Sequence, residues 1–197
     1  MFLGNYHHLK NKEIYVLTLL ILFSIFIRVP VVFLYGDAGL ENEWRILVNN
    51  LINHGILAFD YHDANLAKFL FPNLYMPPLY AYYIYFFSTF SLEGQNYILT
   101  ILFSQVLLAS ISVAIFYKIS KIFFSKTISF YSSLLYSLFP LHVYACSQIS
   151  SISLQTFLTI LFFYFFFQFI EKRSFLLVFF VSFIGGLLIL LRQEFVA

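Results

Sequence analysis

Three carboxylates lie close together in one polar stretch of the sequence, at Asp37, Glu41 and Glu43. Carboxylates at this spacing can ligate a divalent cation or act as a general base. A solvated loop that carries acidic residues without any chemistry gives the same pattern, so the spacing alone leaves both interpretations open. We take Asp37, Glu41 and Glu43 as candidate catalytic residues, and Asp37 and Glu43 as candidate metal ligands.

Two arginines are placed where they can meet a phosphate. Arg192 directly follows a long apolar run that contains Gly185 and Gly186, and Arg28 lies near the far end of the first apolar run. A guanidinium at the mouth of a membrane cavity suits phosphate. The same positions also suit side chains that extend to the membrane interface as anchors, and we expect Arg28 to do so.

The elements that must position these residues are long apolar segments. The chain has 197 residues, of which 61% are hydrophobic and 10% are charged, whereas a soluble domain carries about 25% charged residues. The first span is expected at 13–35, and later apolar runs cover 97–117, 128–145, 154–170 and 175–191. Runs of this length are helices in lipid, because they exceed what barrel strands need. The pattern predicts an all-α polytopic integral membrane protein with about five to six transmembrane helices.

The segment 36–76 between these spans is polar and acidic. Apolar residues at three- and four-residue steps from Glu41 to Leu57 predict a helix that lies on the membrane surface, with Gly55 as its stop signal. The remaining helices are expected at 77–191. Among them, 79–90 is only about 18 Å long as a helix.

The distribution of lysines predicts which side each loop occupies. If 79–90 does not cross, the basic residues share one side, which is cytoplasmic by the positive-inside rule. The acidic loop is then extracytoplasmic, on the face that also receives Arg192 and the serine-rich stretch 147–153. If 79–90 does cross, the later basic loops move to the outside. We favour the first arrangement, in a multi-pass protein of the plasma membrane.

Four short features follow one another along the chain. An arginine closes the first span, an acidic residue precedes an aromatic one, a Pro-Pro-Leu-Tyr motif opens a helix, and a Gly-rich span ends in Leu-Arg-Gln-Glu. They comprise Arg28, Glu43 with Trp44, the stretch 77–80 and the stretch 185–194. In this order they resemble the C-type glycosyltransferase superfamily, and within it the protein O-mannosyltransferases and lipid A aminoarabinose transferases. The resemblance extends over nearly the whole chain.

This resemblance implies an inverting transferase that moves a sugar from a polyprenyl-phosphate-linked donor to an acceptor hydroxyl on the extracytoplasmic face. The catalytic carboxylate would lie in the first outer loop. The residues expected to contact substrate are Arg28, Trp44, Pro77, Pro78, Tyr80 and Arg192. Some members of the family also use a divalent metal ion, and no other cofactor is expected. The expected partners are the donor, an acceptor and membrane lipids, with no nucleic acid.

The length of the chain bears on this expectation. Members of the resembling family are typically at least twice as long, so we expect this chain to be an N-terminal module whose C-terminal part is missing, and whether it is active alone stays open. A transporter or flippase of lipid-linked intermediates is one alternative, although no repeat of fixed period is evident. A non-catalytic membrane subunit is another.

Overall fold

The computed structural model describes residues 2–40, 42–59, 76–90 and 97–192, and the side chains of 2–12, 42, 43 and 90 are not described. Within these ranges the chain forms eight α-helices and no strand, which confirms the predicted all-α class. The helices are α1 Phe2–Tyr35, α2 Asn42–His54, α3 Pro78–Phe90, α4 Tyr97–Phe123, α5 Lys126–Ser137, α6 Pro140–Ala145, α7 Ile152–Lys172 and α8 Phe175–Leu191.

Three of the described helices are long and apolar enough to cross a membrane. They are Glu13–Tyr35 within α1, the whole of α4 and the whole of α7, whereas α8 is apolar but shorter. The apolar run 128–145 is not one helix, because α5 ends at Ser137 and α6 begins at Pro140. Proline has no N–H to donate to the preceding turn and disfavours helical backbone in the residue before it, so it starts a new helix here.

The long helices form a bundle with two distinct ends, in which α1 runs antiparallel to α4 and α7 runs parallel to α4. Lys121 in the last turns of α4 forms an ion pair of 2.8 Å with Glu13 at the start of the α1 span. Phe33 and Phe103, near the opposite ends of the same two helices, have ring centroids 5.9 Å apart. We call these ends of the bundle the Lys121 end and the Asp37 end.

Helix α3 begins at the same end of the bundle as α4. Its Tyr83 hydroxyl is hydrogen-bonded to the Ser104 hydroxyl of α4, and Tyr80 in its first turn packs against Trp44 of α2. Both α3 and α4 therefore begin at the Asp37 end. The arrangement in which 79–90 does not cross requires this, and that arrangement stays a prediction.

The helix expected within the acidic loop is present as α2, and it ends before Gly55, whose φ of 67° favours glycine. The sequence predicted that the apolar stripe of this helix contacts the membrane. The structure shows the stripe packed against protein instead. Leu47 is fully buried and Leu51 nearly so, in a cluster with Ala81 and Tyr85 of α3. The amphipathic pattern therefore reflects packing of α2 on α3.

Candidate functional site

The end of α1 fixes the position of Asp37. The Gly36 N–H donates to the Val32 carbonyl at 2.8 Å. A Cβ at Gly36 would lie 2.2 Å from that carbonyl oxygen, so the chain can leave α1 along this path only with glycine. The Asp37 N–H donates to the Ser147 carbonyl at 3.0 Å, and the Asp37 Oδ2 accepts the Ile149 N–H at 2.6 Å. The carboxylate is therefore oriented by the segment between α6 and α7.

Two glutamines attach that segment to the bundle. The Gln148 side-chain amide donates to the Tyr35 carbonyl at 2.9 Å. The Gln105 amide, buried within α4, donates to the Gln148 carbonyl at 3.2 Å. The backbone of 147–149 is thus bonded to the end of α1 and to α4, and it places the residues that follow it at the start of α7.

A cavity of about 360 Å³ opens at the Asp37 end, where four helices begin or end. Its volume falls within the roughly 300–1,000 Å³ range of small-molecule sites. The lining comes from α2, from the approach to α3, from the start of α7 and from the end of α8: Trp44, Met76, Pro77, Ser150, Ser151, Ile152, Leu191 and Arg192.

One wall of this cavity is suited to an anion. Ser151 and Ile152 form the start of α7, and the first N–H groups of a helix have no partner within it and carry a partial positive charge. Arg192 lines the cavity from the end of α8. The Ser150 Oγ is buried and has no hydrogen-bond partner among the described residues. A guanidinium, a helix N-terminus and a hydroxyl together match the acceptor oxygens of a phosphate.

The lining of the cavity also includes the indole of Trp44. Trp44 packs edge-to-face on Tyr80, with ring centroids 4.8 Å apart. Tyr80 is fully buried and lies behind Trp44, so it supports the indole and is not on the cavity surface. Tyr80 lies in α3, which is not one of the candidate spans. Burial, which is the largest cause, raises the pKa of Tyr80 well above its ordinary value, and the nearby Tyr83 and Asp37 raise it further. The Tyr80 hydroxyl therefore remains protonated, and it lies near enough to Asp37 to interact with it electrostatically.

The structure brings together part of the predicted site. Trp44, Pro77 and Arg192 line one cavity, and Asp37 is bonded to Ile149, directly before the cavity residue Ser150. Pro78 begins α3 next to the cavity residue Pro77.

The other two predicted carboxylates are only partly covered by the structure. Glu41 lies outside the described residues. Glu43 lies in the first turn of α2, and its side chain is not described. No group of three potential metal ligands occurs among the side chains that the structure describes. These residues alone do not make a metal site, and a metal role for Asp37 and Glu43 stays a prediction.

Arg28 occupies a different place from the one expected. Its side chain is 1% exposed and does not extend to the interface. The guanidinium donates to the Ser24 hydroxyl at 2.6 Å and to the Ser24 carbonyl at 3.3 Å. Serine one turn earlier on α1 leaves space for the arginine and supplies its acceptors, which a larger apolar residue would not. Arg28 does not line the cavity at the Asp37 end.

Sequence reasoning did not select Ser150, Ser151 or Gln148 as site residues. Serine and glutamine are common in loops. The bonds that hold this segment, from the Gln148 amide to the Tyr35 carbonyl and from the Ile149 N–H to Asp37, join residues more than 100 positions apart in the sequence. The available signal was indirect: the favoured topology placed this serine-rich stretch on the same face as the acidic loop.

The fold and the cavity define a class. The protein is an all-α membrane protein with a cavity where its helices end, lined by apolar residues together with Trp44, two serines and Arg192. A sequence model of the family described as dolichyl-phosphate-mannose-protein mannosyltransferase matches residues 75–197, which is more than half of the chain. The chain belongs to this family of C-type membrane glycosyltransferases. Comparisons with curated proteins and with solved structures gave no match.

The matched range includes much of the cavity. Pro77, the serines at the start of α7 and Arg192 lie within residues 75–197, whereas Asp37 and Trp44 precede that range. The family match therefore covers Pro77, Ser150, Ser151 and Arg192 of the cavity lining directly. The acidic residue and the tryptophan are connected to these residues through contacts within the fold.

Proposed function

We propose that the cavity at the Asp37 end binds the phosphate of a polyprenyl-phosphate-linked sugar, and that the protein transfers this sugar to an acceptor hydroxyl. One observation carries the proposal most strongly. Arg192, the start of α7 and Ser150 converge on a single cavity in a protein of a glycosyltransferase family. A lipid-linked phosphate fits a cavity at the ends of apolar helices, because its prenyl chain can remain in the hydrocarbon.

The proposed reaction is a single displacement at the anomeric carbon. A carboxylate takes the proton of the acceptor hydroxyl, whose oxygen attacks the anomeric carbon from the face opposite the phosphate. The bond between the anomeric carbon and the phosphate oxygen breaks, the sugar configuration inverts, and polyprenyl phosphate leaves. Arg192 and the N–H groups of α7 stabilise the negative charge that develops on the departing phosphate.

Three carboxylates are candidates for the base. Asp37 is the one whose side chain is described, and its Oδ2 is already oriented by the Ile149 N–H. Glu41 and Glu43 follow within the same loop. In an alternative role, Asp37 and Glu43 bind a divalent cation near the donor phosphate. Measuring sugar transfer with a chelator and with added metal distinguishes this role from a metal-free reaction.

The same proposal includes the orientation of the bundle. The Lys121 end carries Lys118, Lys121 and Lys126 together with Lys172 and Arg173 at the end of α7. By the positive-inside rule this end is cytoplasmic, so the cavity opens on the extracytoplasmic face of the plasma membrane. Sugar stacking on Trp44 would then occur outside the cytoplasm.

Replacement of Arg192 by glutamine tests the phosphate site. Hydrogen bonds to charged groups contribute about 1.5–3 kcal/mol, so we expect kcat/KM for the donor to fall by about ten- to a hundredfold. Arg192→Lys should retain part of the activity, because it keeps the charge but loses the bidentate geometry. The measurement is transfer from a radiolabelled polyprenyl-phosphate sugar in membranes with matched protein levels.

Arg173→Gln is the matched control, because Arg173 is exposed at the other end of the bundle. It should leave kcat/KM unchanged. Equal activity of Arg192→Gln and Arg173→Gln would exclude Arg192 from donor binding. Donor binding without any transfer by the unaltered protein would favour a non-catalytic role.

A further inference from the structure

A second cavity, of about 420 Å³, lies at the Lys121 end of the bundle, between α1, α4 and α5. Its lining includes Glu13, Tyr117, Lys121, Lys126, Thr127 and Tyr131. The 27 residues of α4 separate it from the Asp37 end, a distance of about 40 Å along the helix. It is therefore not part of the donor site proposed above.

Positive charge predominates in and beside this cavity. Lys121 forms the 2.8 Å ion pair with Glu13, and its ammonium also lies 5.6 Å from the centroid of the Tyr117 ring. A neighbouring cavity of about 330 Å³ shares Glu13 and Lys121 and adds Lys118, whose ammonium lies 5.8 Å from the Tyr164 ring. With Lys126, three lysines oppose one glutamate, which leaves a net charge of two positive.

The start of α5 adds to this positive character. Lys126 and Thr127 are its first two residues, and Ser125 caps it by accepting the Ile128 N–H. The first turn of a helix carries a partial positive charge that favours an anion. The Thr127 hydroxyl lines the same cavity and offers a hydrogen bond to an oxyanion.

Apolar side chains continue from this cavity along α5. Tyr131, which lines the cavity, is 61% exposed, and Leu135, one turn further along α5, is 71% exposed. In a membrane protein this face contacts hydrocarbon. A ligand at this cavity can therefore contact a cationic pocket at the helix ends and an exposed apolar surface further along the helix.

From this combination we propose that the cavity at the Lys121 end binds the head group of an anionic phospholipid. Lys121, Lys126 and the start of α5 hold the phosphate, and the acyl chains lie along the exposed face of α5 beside Tyr131 and Leu135. Basic pockets between membrane helices recognise lipid head groups through this pairing of charge and apolar surface. The bound lipid is a structural partner that is not consumed by sugar transfer.

Because of the ion pair with Glu13, one variant is expected to bind anionic lipid more tightly than the unaltered protein does. Glu13 competes with the lipid phosphate for Lys121, so Glu13→Gln should strengthen binding of anionic lipid. A double change of Lys121→Gln and Lys126→Gln should weaken it. Lys126 is exposed, so the single change Lys126→Gln is compatible with folding and should weaken binding to a smaller extent.

Native mass spectrometry of the protein in detergent, titrated with phosphatidylglycerol or phosphatidylcholine, measures this binding. We expect phosphatidylglycerol to bind at least tenfold more tightly than phosphatidylcholine. The double variant should lose at least tenfold in affinity for phosphatidylglycerol, and Glu13→Gln should gain affinity. Lys172→Gln, an exposed lysine at the same end and outside both cavities, is the control and should match the unaltered protein. Thermal unfolding without added lipid verifies that each variant is folded.

Three outcomes would overturn the proposal. The first is equal binding of the two lipids, and the second is unchanged phosphatidylglycerol binding by the folded double variant. The third is displacement of the lipid by excess inorganic phosphate, which would identify a site for a free anion. None of these outcomes depends on sugar transfer, so the proposed donor site and the proposed lipid site can be confirmed or rejected independently of each other.

Discussion

At the residue scale, the site depends on how Asp37 is held. Its Oδ2 accepts a backbone N–H at 2.6 Å, and its own N–H donates to the Ser147 carbonyl. Residue type made Asp37 and Arg192 candidates, because a carboxylate and a guanidinium are chemically distinctive beside apolar spans, and the family resemblance added Trp44. Ser150 could not be predicted in this way, because its importance comes from an unpartnered hydroxyl at a helix start. The burial of Arg28 was also outside the reach of the sequence, since it depends on Ser24 one turn earlier and on the packing of other helices around both.

Asp37→Asn separates a catalytic role from a structural one. The asparagine Oδ1 can still accept the Ile149 N–H, so the segment between α6 and α7 keeps its anchor. The amide cannot take a proton from the acceptor, and loss of a general base typically costs about a hundred- to ten-thousandfold in rate. We expect sugar transfer to fall by that amount in Asp37→Asn if Asp37 is the base.

Glu41→Gln and Glu43→Gln test the two other candidates in the same assay. We expect at least one of the three amide variants to lose transfer while keeping normal thermal stability. Glu171→Gln, an exposed carboxylate at the far end of α7, should remain fully active. Full activity in all three loop variants would show that none of these carboxylates is the base.

At the scale of elements, periodicity predicted more than hydrophobicity did. Apolar residues at helical spacing, followed by Gly55, correctly predicted a helix within the acidic loop, which the structure shows as α2. The partner of its apolar stripe was not predictable, because a stripe that packs on protein and one that inserts in lipid have the same composition. Hydropathy alone also read 128–145 as one continuous run, although Pro140 divides it into α5 and α6.

Leu47→Ala tests the packing of α2 on α3. Leu47 is fully buried, whereas Ile52 on the same helix is 48% exposed. Truncation of a buried leucine costs about 2–5 kcal/mol, so Leu47→Ala should lower the unfolding temperature in detergent and increase proteolysis of α2. Ile52→Ala should behave like the unaltered protein. Equal stability of the two variants would contradict burial of the stripe against α3.

At the scale of the whole molecule, the bundle separates two chemical environments. At the Asp37 end, serines, an indole and Arg192 line one cavity, and Asp37 is hydrogen-bonded to Ile149 directly before it in the chain; at the Lys121 end, lysines line another. The charge distribution in the sequence predicted this separation, because basic and acidic residues fall in alternate loops. The convergence of α2, α3, α7 and α8 at one cavity could not be predicted, since it depends on the lateral packing of helices far apart in the chain.

The most direct test of the account is to map where the donor binds. A polyprenyl-phosphate sugar with a diazirine near its phosphate can be photo-crosslinked to the protein in membranes, and the labelled peptides identified by mass spectrometry. We predict labelling at the Asp37 end, on peptides that contain Met76, Ile152 or Leu191, and loss of that labelling with excess unlabelled donor. Specific labelling confined to peptides of the Lys121 end, such as those containing Thr127 or Tyr131, would contradict the account.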